Sequence, residues 1–127
     1  MRIPSFPMIV FWIIVIVAPL AVSAAVVGQV PNAGEIPLHW NAAGEIDRWG
    51  TPEEAAGTFW FLGGIMAAMN LLMALGYVFN DFLYNRGLVH GVSRTGALKV
   101  YVVCAVILAV LTAAISFAIL AKTLGAL

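Results

Sequence analysis

Three side chains able to ligate a cation or move a proton, His39, Glu45 and Asp47, fall within nine residues of one polar stretch, EIPLHWNAAGEIDRWG, residues 35–50. Neutral imidazole and carboxylate oxygens suit Zn²⁺ or Mn²⁺, so the trio is a candidate divalent-cation site. An imidazole next to a carboxylate can also be held in its charged form, here His39 by Asp47. The plainest alternative is that these groups, with Asn41, simply face water or cap neighbouring helices, and a further one is a contact surface for a peptide or another protein. No catalytic residue is assigned, because the sequence has no Gly-x-Ser-x-Gly, no His-Glu-x-x-His and no phosphate loop. A metal-binding membrane hydrolase or sensor on His39, Glu45 and Asp47 stands as the second reading, behind a non-catalytic role.

These residues need a scaffold, and the stretch itself predicts one. NAAG places Asn41 at the first position of a type I turn and Gly44 at the position of a left-handed bulge, the geometry of a tight hairpin. In that register Asn41 faces Glu45, Trp40 faces Ile46, His39 faces Asp47 and Leu38 faces Arg48. Side chains alternate along a strand, so Ile36, Leu38, Trp40 and Ile46 share one face with Arg48 at its edge, and His39, Asn41, Glu45 and Asp47 share the other. A two-stranded ribbon is marginal alone, but its apolar face can rest on helix ends or lipid headgroups. Trp40 and Trp49 suit that depth, because Trp is enriched at membrane interfaces. Pro37 predicts an edge strand.

The rest of the chain is membrane-like. Of 127 residues 63% are hydrophobic and 9% charged, with a mean hydropathy of +1.03. Six basic and six acidic residues cancel, which leaves no field to hold a nucleic acid. Cys104 is the single cysteine, so an internal disulfide is excluded. Three apolar runs, about 8–27, 58–79 and 100–121, are each long enough to cross a hydrocarbon core of about 30 Å, and in lipid only helices satisfy their own backbone within one segment. The second helix starts earlier, at about 52. Thr51 is its N-cap, Pro52 its first residue, and Glu54 stands at capping-box spacing, with Glu53 and Glu54 at the positive end of the dipole.

The expected fold is therefore all-α: three transmembrane helices in a single membrane domain, 1–127. A hairpin-like extracytoplasmic loop spans about 28–51 and a cytoplasmic loop about 80–99. The first run also carries features of a secretory signal, Arg2 before it and small residues in VSAA near its end; a mature N-terminus near Ala25 would distinguish that reading. Arg2, Arg86, Arg94 and Lys99 fall on one side and Arg48 and Lys122 on the other, which predicts a cytoplasmic N-terminus and an extracytoplasmic C-terminus in a bacterial plasma membrane.

Within the spans, Asn70 is expected to bond to another helix, with Thr112 and Ser116 as candidate partners. Gly63 with Ala67, and Gly64 with Ala68, form small-xxx-small pairs that admit a close helix, from this chain or from a second copy. No acid or base lies inside a span, so transport by this chain alone has no residues to use. The loop NDFLYNRGLVHGVSRTG, with Tyr84, Arg86, His90 and Arg94, reads as a surface near anionic headgroups or as a docking site for a cytoplasmic partner.

The motif VPNAGEIPLHWNAAGEIDRWG resembles the N-terminal domain of unknown function found in the SdpI-type bacteriocin-immunity family and in many small bacterial membrane proteins. Its pattern of Ile-Pro-x-His-Trp-Asn followed by Gly-Glu-x-Asp-x-Trp-Gly is matched by Ile36, Pro37, His39, Trp40, Asn41, Gly44, Glu45, Asp47, Trp49 and Gly50, with Pro31 ahead of it. Members commonly continue with Ser-Lys where this chain has Thr51-Pro52, and longer members carry a further multi-helix domain. The resemblance implies a loop module between two membrane helices, and an immunity-like or accessory role. The expected partners are the lipid bilayer, another membrane protein or further copies of the chain, and an extracytoplasmic peptide. No cofactor is expected beyond the candidate divalent cation.

Overall fold

The computed structural model describes residues 4–87 and 94–127. Arg2 and His90, used above for orientation and for the loop reading, lie outside the described residues. The elements are α1 (Phe6–Val27), β1 (Ile36–Trp40), β2 (Ile46–Gly50), α2 (Pro52–Val78), α3 (Asn80–Asn85) and α4 (Arg94–Gly125). Among the described residues three helices, α1, α2 and α4, are long and apolar enough to cross a membrane, and the chain is a multi-pass membrane protein. Ile13, Ile14, Phe61, Leu72 and Val110 are each more than half exposed on the outside of the bundle, the side that faces lipid.

Each of the three long helices packs against the other two. Their shared interior has an apolar cluster toward each end. Trp12, Val15 and Ala105 form one, flanked by Met73, Tyr77 and Tyr101. Val26, Phe59 and Leu120 form the other, on the hairpin side. Small and polar residues fill the middle: Pro19, Ser23, Gly63, Ala67, Asn70, Thr112 and Ser116 are all buried. Without a hydrophobic drive between helices in lipid, such a layer works by close backbone approach and interhelical hydrogen bonds.

Two bonds of that kind tie α1 to α2. Ser23 Oγ donates to the Phe59 carbonyl at 2.7 Å. Asn70 Nδ2 donates to the Val15 carbonyl at 2.7 Å and to the Ala105 carbonyl, on α4, at 3.3 Å. The first of these acceptors has a local cause: Pro19 has no N–H to return to the carbonyl four residues back, which is that of Val15. Asn70 therefore joins all three helices through backbone oxygens, and the expected partners are not used. Thr112 Oγ1 instead donates to the Leu108 carbonyl of its own helix at 2.7 Å, and Ser116 Oγ has no partner among the described residues.

The two small-residue pairs divide. Gly63 faces α1 so closely that an added Cβ would strike Ser23 Oγ and lie 2.6 Å from the Pro19 carbonyl oxygen. Gly64 faces open space, and Ala68 is exposed. α2 begins at Pro52 behind its predicted N-cap, with Thr51 Oγ1 accepting from the Glu54 N–H at 3.2 Å, while the Glu54 carboxylate, at capping-box spacing, accepts from Arg48. The helix bounds expected around residues 80–99 need correction. Residues 80–85 form α3, and α4 starts at Arg94, not near residue 100. Lys99 and Lys122 delimit the apolar run but not the helix, because backbone bonding continues through the interface where a lysine can extend to headgroups.

Candidate functional site

The hairpin closes as its turn residues dictate. The Gly44 N–H donates to the Asn41 carbonyl at 3.0 Å, Gly44 takes φ +81°, and the Asn41 N–H donates to the Glu45 carbonyl at 2.8 Å. Gly44 is needed because that positive φ disfavours any residue with a Cβ. The Asn41 side chain adds to the closure, its Oδ1 accepting from the N–H groups of Ala43 and Glu45, both at 3.0 Å. That carboxamide oxygen, placed by the alternation argument on the open polar face, is spent on holding the turn.

Strand pairing follows the expected register at both ends, with Trp40 opposite Ile46, Pro37 opposite Trp49 and Ile36 opposite Gly50. It departs in the centre, where His39 lies opposite Arg48, not Asp47, and the register shifts on each side of His39. Leu38 and Asp47 are the residues left over, a pair of compensating bulges. Bulges re-aim side chains. Here the displaced Asp47 brings Oδ1 to 2.6 Å from His39 Nδ1, a contact made in the open, with side chains 43% and 64% exposed. Exposed pairs of this kind contribute about 0–1 kcal/mol, so the fold does not depend on it. Glu45 does not complete a cation site: among the described residues no group of three His, Cys, Asp or Glu side chains is gathered for a metal ion.

The opposite face is anchored. Ile36 is fully buried, Pro37 is buried, and Leu38, Trp40 and Ile46 are partly buried, while β1 lies against α2 and α4. Two charged contacts lie at the margins of the ribbon. Arg48 Nη2 reaches Glu54 Oε2 at 3.3 Å, tying β2 to the first turn of α2. Lys122 Nζ lies 4.8 Å from the centre of the Trp40 ring, tying β1 to the end of α4. Gly50 lets these parts close up, since a Cβ there would strike Leu38 and sit 2.9 Å from Glu54 Oε2. The Trp40 seat is thus a helix end carrying a cation. Trp49 points away, 44% exposed.

Sequence reasoning missed Lys122 as part of this region. The lysine is 82 positions beyond Trp40, and only the return of the third span to the same end of the bundle brings them together. Arg48 with Glu54 was the more accessible signal, a cation six residues before a capping glutamate. The described side chains of the hairpin that remain directed outward and unspent on the fold are His39, Glu45, Asp47 and Trp49.

Residues 14–67, which run from inside α1 through the hairpin to the middle of α2, match a family described as Domain of unknown function (DUF1648). No curated protein and no solved structure matches the chain.

Proposed function

We propose that this protein is a non-catalytic membrane module of a bacterial plasma membrane that presents its hairpin, on the extracytoplasmic side, to a peptide or to a partner membrane protein. The observation that carries the reading is the division of labour within the ribbon. One face is fastened to the helix bundle by Ile36 and by Trp40 with Lys122, while the other displays His39 and Asp47 in contact at 2.6 Å, with Glu45 and Trp49 beside them in the sequence and exposed. A preorganised surface of mixed polar groups and an exposed Trp loses little entropy on binding. The immunity-like or accessory role of the SdpI-type resemblance is compatible with such a surface and names the first partners to try: a secreted bacteriocin-like peptide, or a larger membrane complex.

The orientation belongs to the same proposal. Arg86 and Lys99 lie at the end opposite the hairpin, and the sequence adds Arg94 between them, against Arg48 and Lys122 at the hairpin end. That distribution supports an extracytoplasmic hairpin.

A photoreactive amino acid placed at Trp49 or Glu45 in native membranes tests the function. The expected outcome is a discrete adduct that is absent when the probe is at lipid-facing Leu72 and is lost with His39→Ala or Asp47→Ala. Identical adduct patterns from all three positions, or adducts unaffected by those substitutions, would overturn it.

A further inference from the structure

At the end of the bundle away from the hairpin, Met8 of α1, Tyr77 of α2, and Leu98, Lys99, Val102 and Val103 of α4 line a groove of about 350 Å³. Its walls are almost wholly apolar, and Lys99 is the one charged residue among those that line it. Nothing in the hairpin reading accounts for it, and it lies at the opposite end of the molecule.

The depth of the groove in a bilayer can be set from the helix itself. Lys99 and Lys122 are the charged residues that bracket the apolar part of α4, and at about 1.5 Å per residue they stand roughly 34 Å apart along the helix, slightly more than the hydrocarbon thickness of about 30 Å. Lys99 is therefore at the level of lipid phosphates when Lys122 is at the level of the other leaflet's. Val102 and Val103 lie a turn deeper, where acyl chains begin. The groove thus starts at a cation in the headgroup layer and continues as an apolar wall into the hydrocarbon.

Charge on this end is of one predominant sign. Arg86, whose guanidinium lies 5.2 Å from the centre of the Phe82 ring, is here, and the sequence adds Arg94. Between Ala55 and Leu127 the only acid is Asp81.

We infer that this groove is a binding site for one anionic phospholipid, its phosphate on Lys99 and one acyl chain along Val102, Val103 and Met8. The occupant follows from chemistry and place: the partner must be anionic at Lys99, apolar one turn deeper, and present in the layer where the groove opens. A phosphatidylglycerol molecule meets all three conditions. A zwitterionic lipid fills the apolar part but gains less at the ammonium.

The test titrates the purified full-length protein in mild detergent with phosphatidylglycerol or phosphatidylcholine of the same acyl chains, and counts bound lipid by native mass spectrometry. One phosphatidylglycerol per chain is expected, held about fivefold more tightly than phosphatidylcholine, the advantage of one lysine near an anionic headgroup. Lys99→Gln should bring the ratio to about one. Val103→Trp, which fills the groove, should weaken both lipids, and Lys122→Gln, in the opposite leaflet, should leave the ratio unchanged. An equal ratio in the unmodified protein, a ratio that survives Lys99→Gln, or an equal loss with Lys122→Gln would overturn the site. None of these results depends on whether the hairpin binds a partner, so the two proposals fail separately.

Discussion

Asn70 owes part of its role to its place in the sequence and part to a neighbour far from it in the chain. An amide at mid-span must find a partner, and that much is legible from its position. Its acceptors were not, because the better one is made by a deletion: Pro19 withholds an N–H, and the Val15 carbonyl is left for another helix to satisfy. Asn70→Ala should therefore destabilise the bundle by about 1–2 kcal/mol, measured as a shift in the detergent-unfolding midpoint. The same substitution in a Pro19→Ala background should cost clearly less, since residue 19 can then bond to Val15 itself. Equal costs in both backgrounds would show that the Val15 contact contributes nothing. The hairpin residues divide in the same way. The turn function of Gly44 and the meeting of His39 with Asp47 are both visible in the order of types, whereas the bulge through which the two side chains meet is not anticipated by alternation.

The helices and the ribbon are read from sequence with unequal success for a physical reason. Length and apolarity delimit spans, and capping residues fix the start of α2 within a residue; α4 extends past the apolar run at both ends because charge marks where lipid stops, not where a helix stops. Which of two adjacent glycines faces inward depends on helix rotation, which neither run of small residues specifies. Gly63→Ala should loosen the contact of α1 with α2 by about 1–3 kcal/mol, because Ser23 and the Pro19 carbonyl occupy the space its methyl needs. Gly64→Ala, with open space around it, should be neutral or stabilise by up to about 1 kcal/mol through helix propensity. Thermal unfolding of the two variants side by side is the check, and equal losses would place the wrong face inside. For the ribbon, Lys122→Ala should raise amide hydrogen exchange across β1 by a factor of about 2–5, as loss of a contact contributing about 0.5–1 kcal/mol predicts; Trp40→Ala, which also gives up the partial burial of its ring, should raise it further, and Lys122→Ala should add little in that background.

Over the whole molecule the bases divide by end among the described residues, Arg86 and Lys99 at one and Arg48 and Lys122 at the other, a division legible in their positions along three spans. With Cys104 replaced by Ser, a cysteine at Glu45 should react with a membrane-impermeant thiol reagent in intact cells, and one at Arg86 only after the membrane is opened. The reverse pattern would invert the topology. What the sequence alone could not supply is the way distant segments meet at each end, Trp40 with Lys122 above and Met8 with Tyr77 and Val102 below, since these meetings depend on how three rods lean on one another. The proline in the first of those rods also bears on how the rods sit in lipid. Apart from each other, the first of these rods holds a naked oxygen and the second a bare amide in hydrocarbon, so each is a poorer guest of the lipid alone than docked on its neighbour.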